Sequence, residues 1–213
     1  MRVRFLIDGF NVYHSLKDAA AHQDAERGSR GFRGTRWFNV RRLCLEFLRN
    51  ECPPESTFEK ILYFTAYATH IRRGSAARLQ KQQLYLDALK DTGVEVHLGQ
   101  FRRAGRLGLE RFEEKETDVA ICAHLMAGFA LDLCDMTVIV SGDTDLAPAL
   151  RVARETFPEK RLGILFPYGR QQKELQELVD TSQKVSRRAC FALQLRDPYR
   201  CSDGRLILKP TEW

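Results

Sequence analysis

Nothing in the chain marks it for a membrane or for an oxidising compartment. Its longest apolar stretch, VAICAHLMAGFAL from position 119, falls short of the ~20 residues that span a bilayer and carries His124. The start, MRVRFLID, lacks the small-residue cleavage site of a secretory signal. The six cysteines, at 44, 52, 122, 134, 190 and 201, contain no C-x-x-C pair, and several lie inside apolar segments where a thiol packs as a small hydrophobe. Reduced, structural thiols and a cytoplasmic location are the expectations. Internal repeats and long low-complexity tracts are also missing. One short stretch is biased, RGSRGFRGTR at 27–36, and it reads as a flexible connection.

What is present suits one ordinary core: 213 residues, 44% of them apolar. Residues 1–195 are expected to form one domain and 196–213 a tail, since the helical pattern breaks at Pro198 and leaves at most a short strand at 206–208. The formal charge of +6 favours a polyanionic partner but equally fits a solvated surface. Where the charges fall matters more than their sum.

Strand-like runs recur about every thirty residues: VRFLI (3–7), FEKILYFTAYA (58–68), VEVHL (94–98), MTVIVS (136–141) and RLGILF (161–166). Helical patterns separate them, with apolar faces set by Phe38, Leu43, Phe47 and Leu48, then Leu79, Leu84, Leu86 and Leu89, then residues 119–131, 146–157 and 175–179. Such alternation predicts a three-layer αβα fold around a mostly parallel sheet of about five strands. Right-handed crossovers place every strand-to-helix loop on one edge, the carboxyl ends of the strands, where open α/β sheets bind ligands.

Four aspartates fall on that edge. FLIDGFN ends the first strand at Asp8, with Asn11 just beyond; VIVSGDTD carries the fourth strand into Ser141, Asp143, Thr144 and Asp145; KETDVAICAHL starts a helix near Thr117, with Asp118 in its first turn. Any one of these acids has an ordinary explanation as a helix cap. Together, four like charges in a sheet crevice repel and shift one another unless a cation neutralises them. Mg²⁺ or Mn²⁺ suits oxygen ligands and leaves positions for water and phosphate. Such an ion lowers the pKa of a bound water and stabilises a leaving oxygen, so the implied reaction is phosphodiester hydrolysis.

Three segments in this order, D-G-F-N after the first strand, K-E-T-D-V-A at a helix start and S-G-D-T-D-L after a later strand, resemble the NYN domain, a branch of the PIN-like metal-dependent nucleases, and within it the LabA-like group. YFTAY at 63–67 adds to the likeness, which covers roughly residues 1–180. The resemblance implies an acidic metal site at Asp8, Asp118, Asp143 and Asp145, with Asp145 orienting water or a second metal. By the same likeness Asn11 holds a carboxylate or the scissile phosphate, Ser141 steadies Asp143 by a hydrogen bond, and Thr144 lies beside them. It also implies RNA rather than DNA as substrate. A further carboxylate on an early helix, common in PIN-like proteins, has no clear counterpart beyond Glu46.

Charge placement follows the two sheet edges. Connections on the amino edge hold Glu51, Glu55, Glu59, Asp91, Asp132, Asp135, Glu155 and Glu159 against Lys60 and Lys160. The carboxyl edge is rich in cations: Arg27, Arg30, Arg33 and Arg36, then Arg72 and Arg73, Arg102, Arg103 and Arg106, Lys115, and Arg170 and Lys173. A cationic rim around an acidic centre suits a nucleic-acid backbone. Tyr67, His70, Phe101 and Tyr168 would be placed to stack unpaired bases, although Tyr67 and Phe101 equally suit the last core positions of their strands. His97 and His124 are expected to be packed, and His14 could lean toward the acids. Two other classes stay open: a nucleic-acid-binding or scaffold module whose pocket holds metal or phosphate without turnover, and a haloacid dehalogenase-like phosphatase. The latter needs a second aspartate two residues after the first, where Phe10 stands.

Overall fold

The computed structural model describes residues 1–27, 34–67, 75–104, 111–211 and 213, with backbone alone at 27, 75, 100–104 and 111–115. Strand β1 (Arg2–Asp8) leads into helices α1 (Gly9–Arg27) and α2 (Val40–Glu51), then β2 (Thr57–Ala66), α3 (Ser75–Asp91) and β3 (Glu95–Ala104). The chain returns in β4 (Arg111–Lys115) and continues through α4 (Thr117–Ala130), β5 (Met136–Val140), a 3-10 turn (Thr144–Leu146), α5 (Ala147–Thr156) and β6 (Arg161–Phe166). Next come α6 (Lys173–Gln176), β7 (Thr181–Lys184) and α7 (Arg187–Ala192), and the short β8 (Tyr199–Arg200) and β9 (Leu206–Ile207).

Seven strands form one sheet in the order β4-β3-β2-β1-β5-β6-β7, parallel throughout except for β3 against β4. All five anticipated strands are present. The two additional ones are the sheet's edges, RFEEK and TSQK, polar sequences that carry no apolar run. β3 also runs past position 98 to Ala104, so Arg102 and Arg103 belong to a strand and not to the loop expected there. Their side chains lie outside the described residues.

Both faces of the sheet are covered, which is why the inner strands read as continuous apolar runs. Val3, Phe5 and Ile7 of β1 join Val12, Leu16, Phe47 and Leu89 from α1, α2 and α3 in one core. Leu6, Leu62, Phe64 and Ile164 meet Ile121, Leu125 and Leu150 from α4 and α5 in the other. The period of two puts Arg4 and Asp8 on the Leu6 face. α2 shows how local sequence supports this: Asn39 caps it by accepting the Arg42 amide, and Val40, Leu43, Cys44, Phe47 and Leu48 fill its inner stripe.

The topology fixes the location of the site. After β1 the chain moves outward through β2 and β3 with its helices on one face, then returns to the far side of β1 as β5 with α4 on the opposite face. Strand order reverses between β1 and β5, and the crevice at their carboxyl ends is where such sheets bind ligands. Residues after α7 pack against the first core: Leu195 donates its amide to Trp37, Tyr199 its hydroxyl to Asp91 at 2.8 Å, and Trp213 lies 6.4 Å from the Trp37 ring. No helix among the described residues is long and apolar enough to cross a membrane.

Candidate active site

Asp8 closes β1 at the reversal point, 4% exposed. Burial this deep demands partners, and each carboxylate oxygen has one. Oδ1 accepts the backbone amide of Asn11 at 2.9 Å, and Oδ2 accepts the hydroxyl of Ser141, just past β5, also at 2.9 Å. Ser141 Oγ in turn accepts the Asp143 amide at 3.1 Å, while the Asn11 side chain accepts the Gly142 amide through Oδ1 at 3.1 Å. The ends of β1 and β5 and the first turn of α1 are thus one hydrogen-bonded unit. Ser141 thus steadies the Asp8 carboxylate as well as Asp143, the latter through its backbone amide.

Close approach explains the two glycines here. A Cβ on Gly142 would stand 2.0 Å from the Arg170 carbonyl oxygen, so only glycine lets the loop after β6 lie against the S-G-D turn. A Cβ on Gly9 would meet the Phe64 carbonyl at 2.7 Å.

The other acids enter from two directions. Asp143 Oδ1 caps the 3-10 turn by accepting the Asp145 amide at 3.0 Å, so Asp143 and not Asp145 is the cap; Asp145 and Thr144 are exposed. Asp118 occupies the first turn of α4, behind Glu116, whose φ of +97° is a strained conformation for a side chain with a Cβ. Burial, then the charges of Asp8, Asp143 and Asp145, push the Asp118 carboxyl up to about 6. Asp118 thus shares a field with the other three. Capping and electrostatic coupling coexist: Asp8 and Asp143 each accept a backbone amide, and both charges, with that of Asp145, act on Asp118.

Among the described residues, no three Asp, Glu, His or Cys side chains form a ready-made cage for an ion. Magnesium-type sites seldom need one, since one or two carboxylates with waters and phosphate oxygens suffice. The donors here are all oxygens, and the Asp118 carboxyl is raised by burial first and by the charges of the other three acids second. The set fits a hard divalent cation.

The flanks differ from expectation in several places. Arg170 lies half-buried beside Gly142 and pairs with Asp18 of α1 at 2.5 Å. Asp18 is an early-helix carboxylate absent from the sequence expectations; it lies seven residues, two turns on one helical face, from Asn11, but only the pairing with Arg170 marks it. Glu46 instead pairs with Arg42 along α2. Lys173 is exposed at the start of α6. Tyr67 sits half-buried against the core at the end of β2, and Tyr168 is held by a 3.0 Å hydrogen bond with His22. Arg72, Arg73, Arg106, Arg30, Arg33 and His70 lie outside the described residues, as do the side chains of Arg27, Arg102, Arg103, Phe101 and Lys115. His97 and His124 pack ring to ring at 4.7 Å over Phe64. On the amino edge the acids are less exposed in charge than their count suggested, because Arg2 holds Asp132 and Asp135 and the buried Arg4 holds Glu59.

The family model described as the NYN domain matches residues 2–186. Among curated proteins none matches. Among solved structures, a protein of unknown function from Vibrio parahaemolyticus shares the fold with a TM-score of 0.60 at 18% identity, covering 87% of this chain and 93% of its own.

Proposed function

From the premise that the chain belongs to the NYN-domain family, and so to the PIN-like superfamily of nuclease-like folds, we propose that it is a divalent-metal-dependent nuclease hydrolysing phosphodiester bonds of single-stranded RNA. The observation that carries this reading is the joining of Asp8, Ser141, Asn11 and Asp143 at the sheet's reversal point, with Asp118 raised to about 6 beside them.

Each residue has work that follows from its setting. Asp8, fixed by two hydrogen bonds, is the rigid anionic anchor, and with Asp118 and Asp143 it would hold Mg²⁺ or Mn²⁺. When bound, such an ion supplies charge neutralisation at the phosphate and an acidified water. Without an ion, burial and the neighbouring acids hold the Asp118 carboxyl up to about 6; a bound cation would keep it ionised as a ligand. Asn11 spends its Oδ1 on Gly142, which leaves its Nδ2 amide to donate to a phosphate oxygen. Asp145, exposed at the mouth, accepts a hydrogen bond from incoming water. Arg170 and Lys173 face flanking phosphates as charge-assisted donors.

The test is purified protein with end-labelled single-stranded RNA and Mn²⁺ or Mg²⁺, beside Asp8→Asn, Asp118→Asn and Asp143→Asn. Expected are cleavage by the parent, loss of at least 100-fold in each variant as for removal of a principal charge-stabilising group, and retained RNA binding. An intact parent that binds RNA and never cuts it, across both metals, overturns the hydrolytic reading in favour of a binding module.

A further inference from the structure

Helix α1 turns one polar stripe toward the loops at the carboxyl edge. Asn11, Asp18, His22 and Glu26 follow one another at intervals of seven and four residues, the spacing of a single helical face. Each engages a segment far along the chain. Asn11 accepts the Gly142 amide at 3.1 Å, Asp18 accepts from Arg170 at 2.5 Å, His22 meets the Tyr168 hydroxyl at 3.0 Å, and Glu26 accepts from Arg187. The loop after β6 is therefore tied to α1 at two points, through Tyr168 and through Arg170.

Folding stability gives little reason for the second tie. The Asp18 and Arg170 side chains are 48% and 35% exposed, and ion pairs so open to water contribute little to stability. What the pair does is fix a long cation. The Arg170 carbonyl oxygen and Cβ lie 2.0 and 2.7 Å from where a Cβ on Gly142 would stand, so this side chain starts on the turn that carries Ser141 and Asp143. From there it crosses to α1 and donates from Nη2 to Asp18. Asp18 stands seven residues beyond Asn11, or ~10 Å along the helix axis. His14 lies between them on the same side of α1, and its imidazole is lowered by burial first and by the Arg170 charge second. The guanidinium thus runs along the wall of α1 that leads away from Asn11 and the acidic crevice.

Donors remain on it. Among the described residues Asp18 is the one hydrogen-bond partner of the Arg170 side chain, and Nε has none. A guanidinium carries N–H groups on three nitrogens, so Nη1 is left for an anion. An arginine that samples many rotamers loses that freedom on meeting phosphate, whereas one already held does not.

We propose that Asp18 is a positioning residue: it holds the Arg170 guanidinium along α1 as a preorganised donor to a backbone phosphate of single-stranded RNA, beyond the phosphate that enters the Asp8 and Asp143 pocket. The identity of the strand rests on the nuclease reading, but the role concerns binding and needs no turnover. Its mark is a sign. Asp18 is itself an anion near the strand, so charge alone makes its removal tighten RNA binding, whereas lost positioning makes the same removal weaken it.

The experiment measures binding without metal, in EDTA, by fluorescence anisotropy of a short labelled single-stranded RNA between about 50 and 200 mM salt. Full-length parent, Asp18→Asn, Arg170→Gln and the double variant are compared, with thermal melts to show that each is folded. Asp18→Asn is expected to bind about fivefold more weakly, in line with the ordering of one long side chain. Arg170→Gln also weakens binding, and lowers the magnitude of the slope of log affinity against log salt by up to about 0.7. The double variant binds no more weakly than Arg170→Gln, because Asp18 then has no cation to hold. Binding by Asp18→Asn as tight as the parent's or tighter, a loss that persists in the Arg170→Gln background, or a salt slope untouched by Arg170→Gln overturns the role. A parent that shows the expected pattern and never cuts RNA keeps the positioning role and loses the hydrolytic reading; a parent that binds no RNA loses both.

Discussion

At the scale of the residue, Asp118 carries the clearest electrostatic mark of the crevice. An acid raised from 3.8 to about 6 is one whose ionised form the fold disfavours. Its folded-state pKa exceeds its unfolded one, so the penalty is absent below pH ~4, grows as pH rises through 4 to 6, and is complete above that. Two units would correspond to nearly 3 kcal/mol for a sealed group, but this carboxyl is half open to water, and about 1 kcal/mol is the reasonable share. Asp118→Asn should therefore raise Tm by roughly 2–4 °C at pH 7.5 in EDTA and leave it unchanged at pH 4. Added Mn²⁺ should reverse the order, stabilising the parent and not the variant. Differential scanning fluorimetry at the two pH values reads both effects. The four aspartates were legible in the sequence because each closes a strand or opens a helix. Asp18 was not, since its importance depends on Arg170, 152 positions away.

Elements were legible to the extent that they bury apolar surface. The inner strands and amphipathic α2 show their periodicity directly, whereas β4 and β7 take their strand state from the neighbour they pair with and not from their own residues. The extension of β3 to Ala104 was missed for the same reason, because Gln100 to Ala104 is ordered by pairing with β4. The S-G-D turn is an element-scale feature of another kind, in which backbone packs on backbone. Gly142→Ala forces its new methyl against the Arg170 carbonyl, and neither side can rotate out of the way. Overpacking of this sort costs roughly 1–3 kcal/mol. It should also displace Ser141 and Asp143 together, since both hydrogen bonds run through this turn. The expected outcome is a lower Tm and a divalent-cation affinity reduced tenfold or more by isothermal titration, with the sheet's circular dichroism preserved. Undiminished cation affinity would mean that the turn does not shape the pocket.

Across the whole molecule, the two ends of the sheet differ in how their charges are paired. At the amino edge Arg2 binds Asp132 and Asp135, Lys160 also reaches Asp132, and Lys60 meets Glu95, so cations and acids there neutralise one another. At the carboxyl edge Arg170 is paired with Asp18, but Arg36 makes no ion pair among the described residues, and Lys173 is almost fully in solvent with a 3.5 Å contact to Glu177. The total of +6 cannot express this division, and the sequence tally overlooked that Arg2 and Arg4, inside a strand, serve the amino edge. The consequence is measurable as a salt dependence. Each phosphate contact on a single strand contributes about −0.7 to the slope of log affinity against log salt. Removing Lys173 as Lys173→Gln should lower the magnitude of that slope by up to that amount and weaken RNA binding at 50 mM salt. Arg2→Gln, an equal change in net charge, should leave slope and affinity as they were while lowering Tm, because its work is to hold the loop before β5. If the two variants shifted the slope equally, net charge and not its placement would govern association, and the carboxyl edge would lose its claim to be the nucleic-acid face.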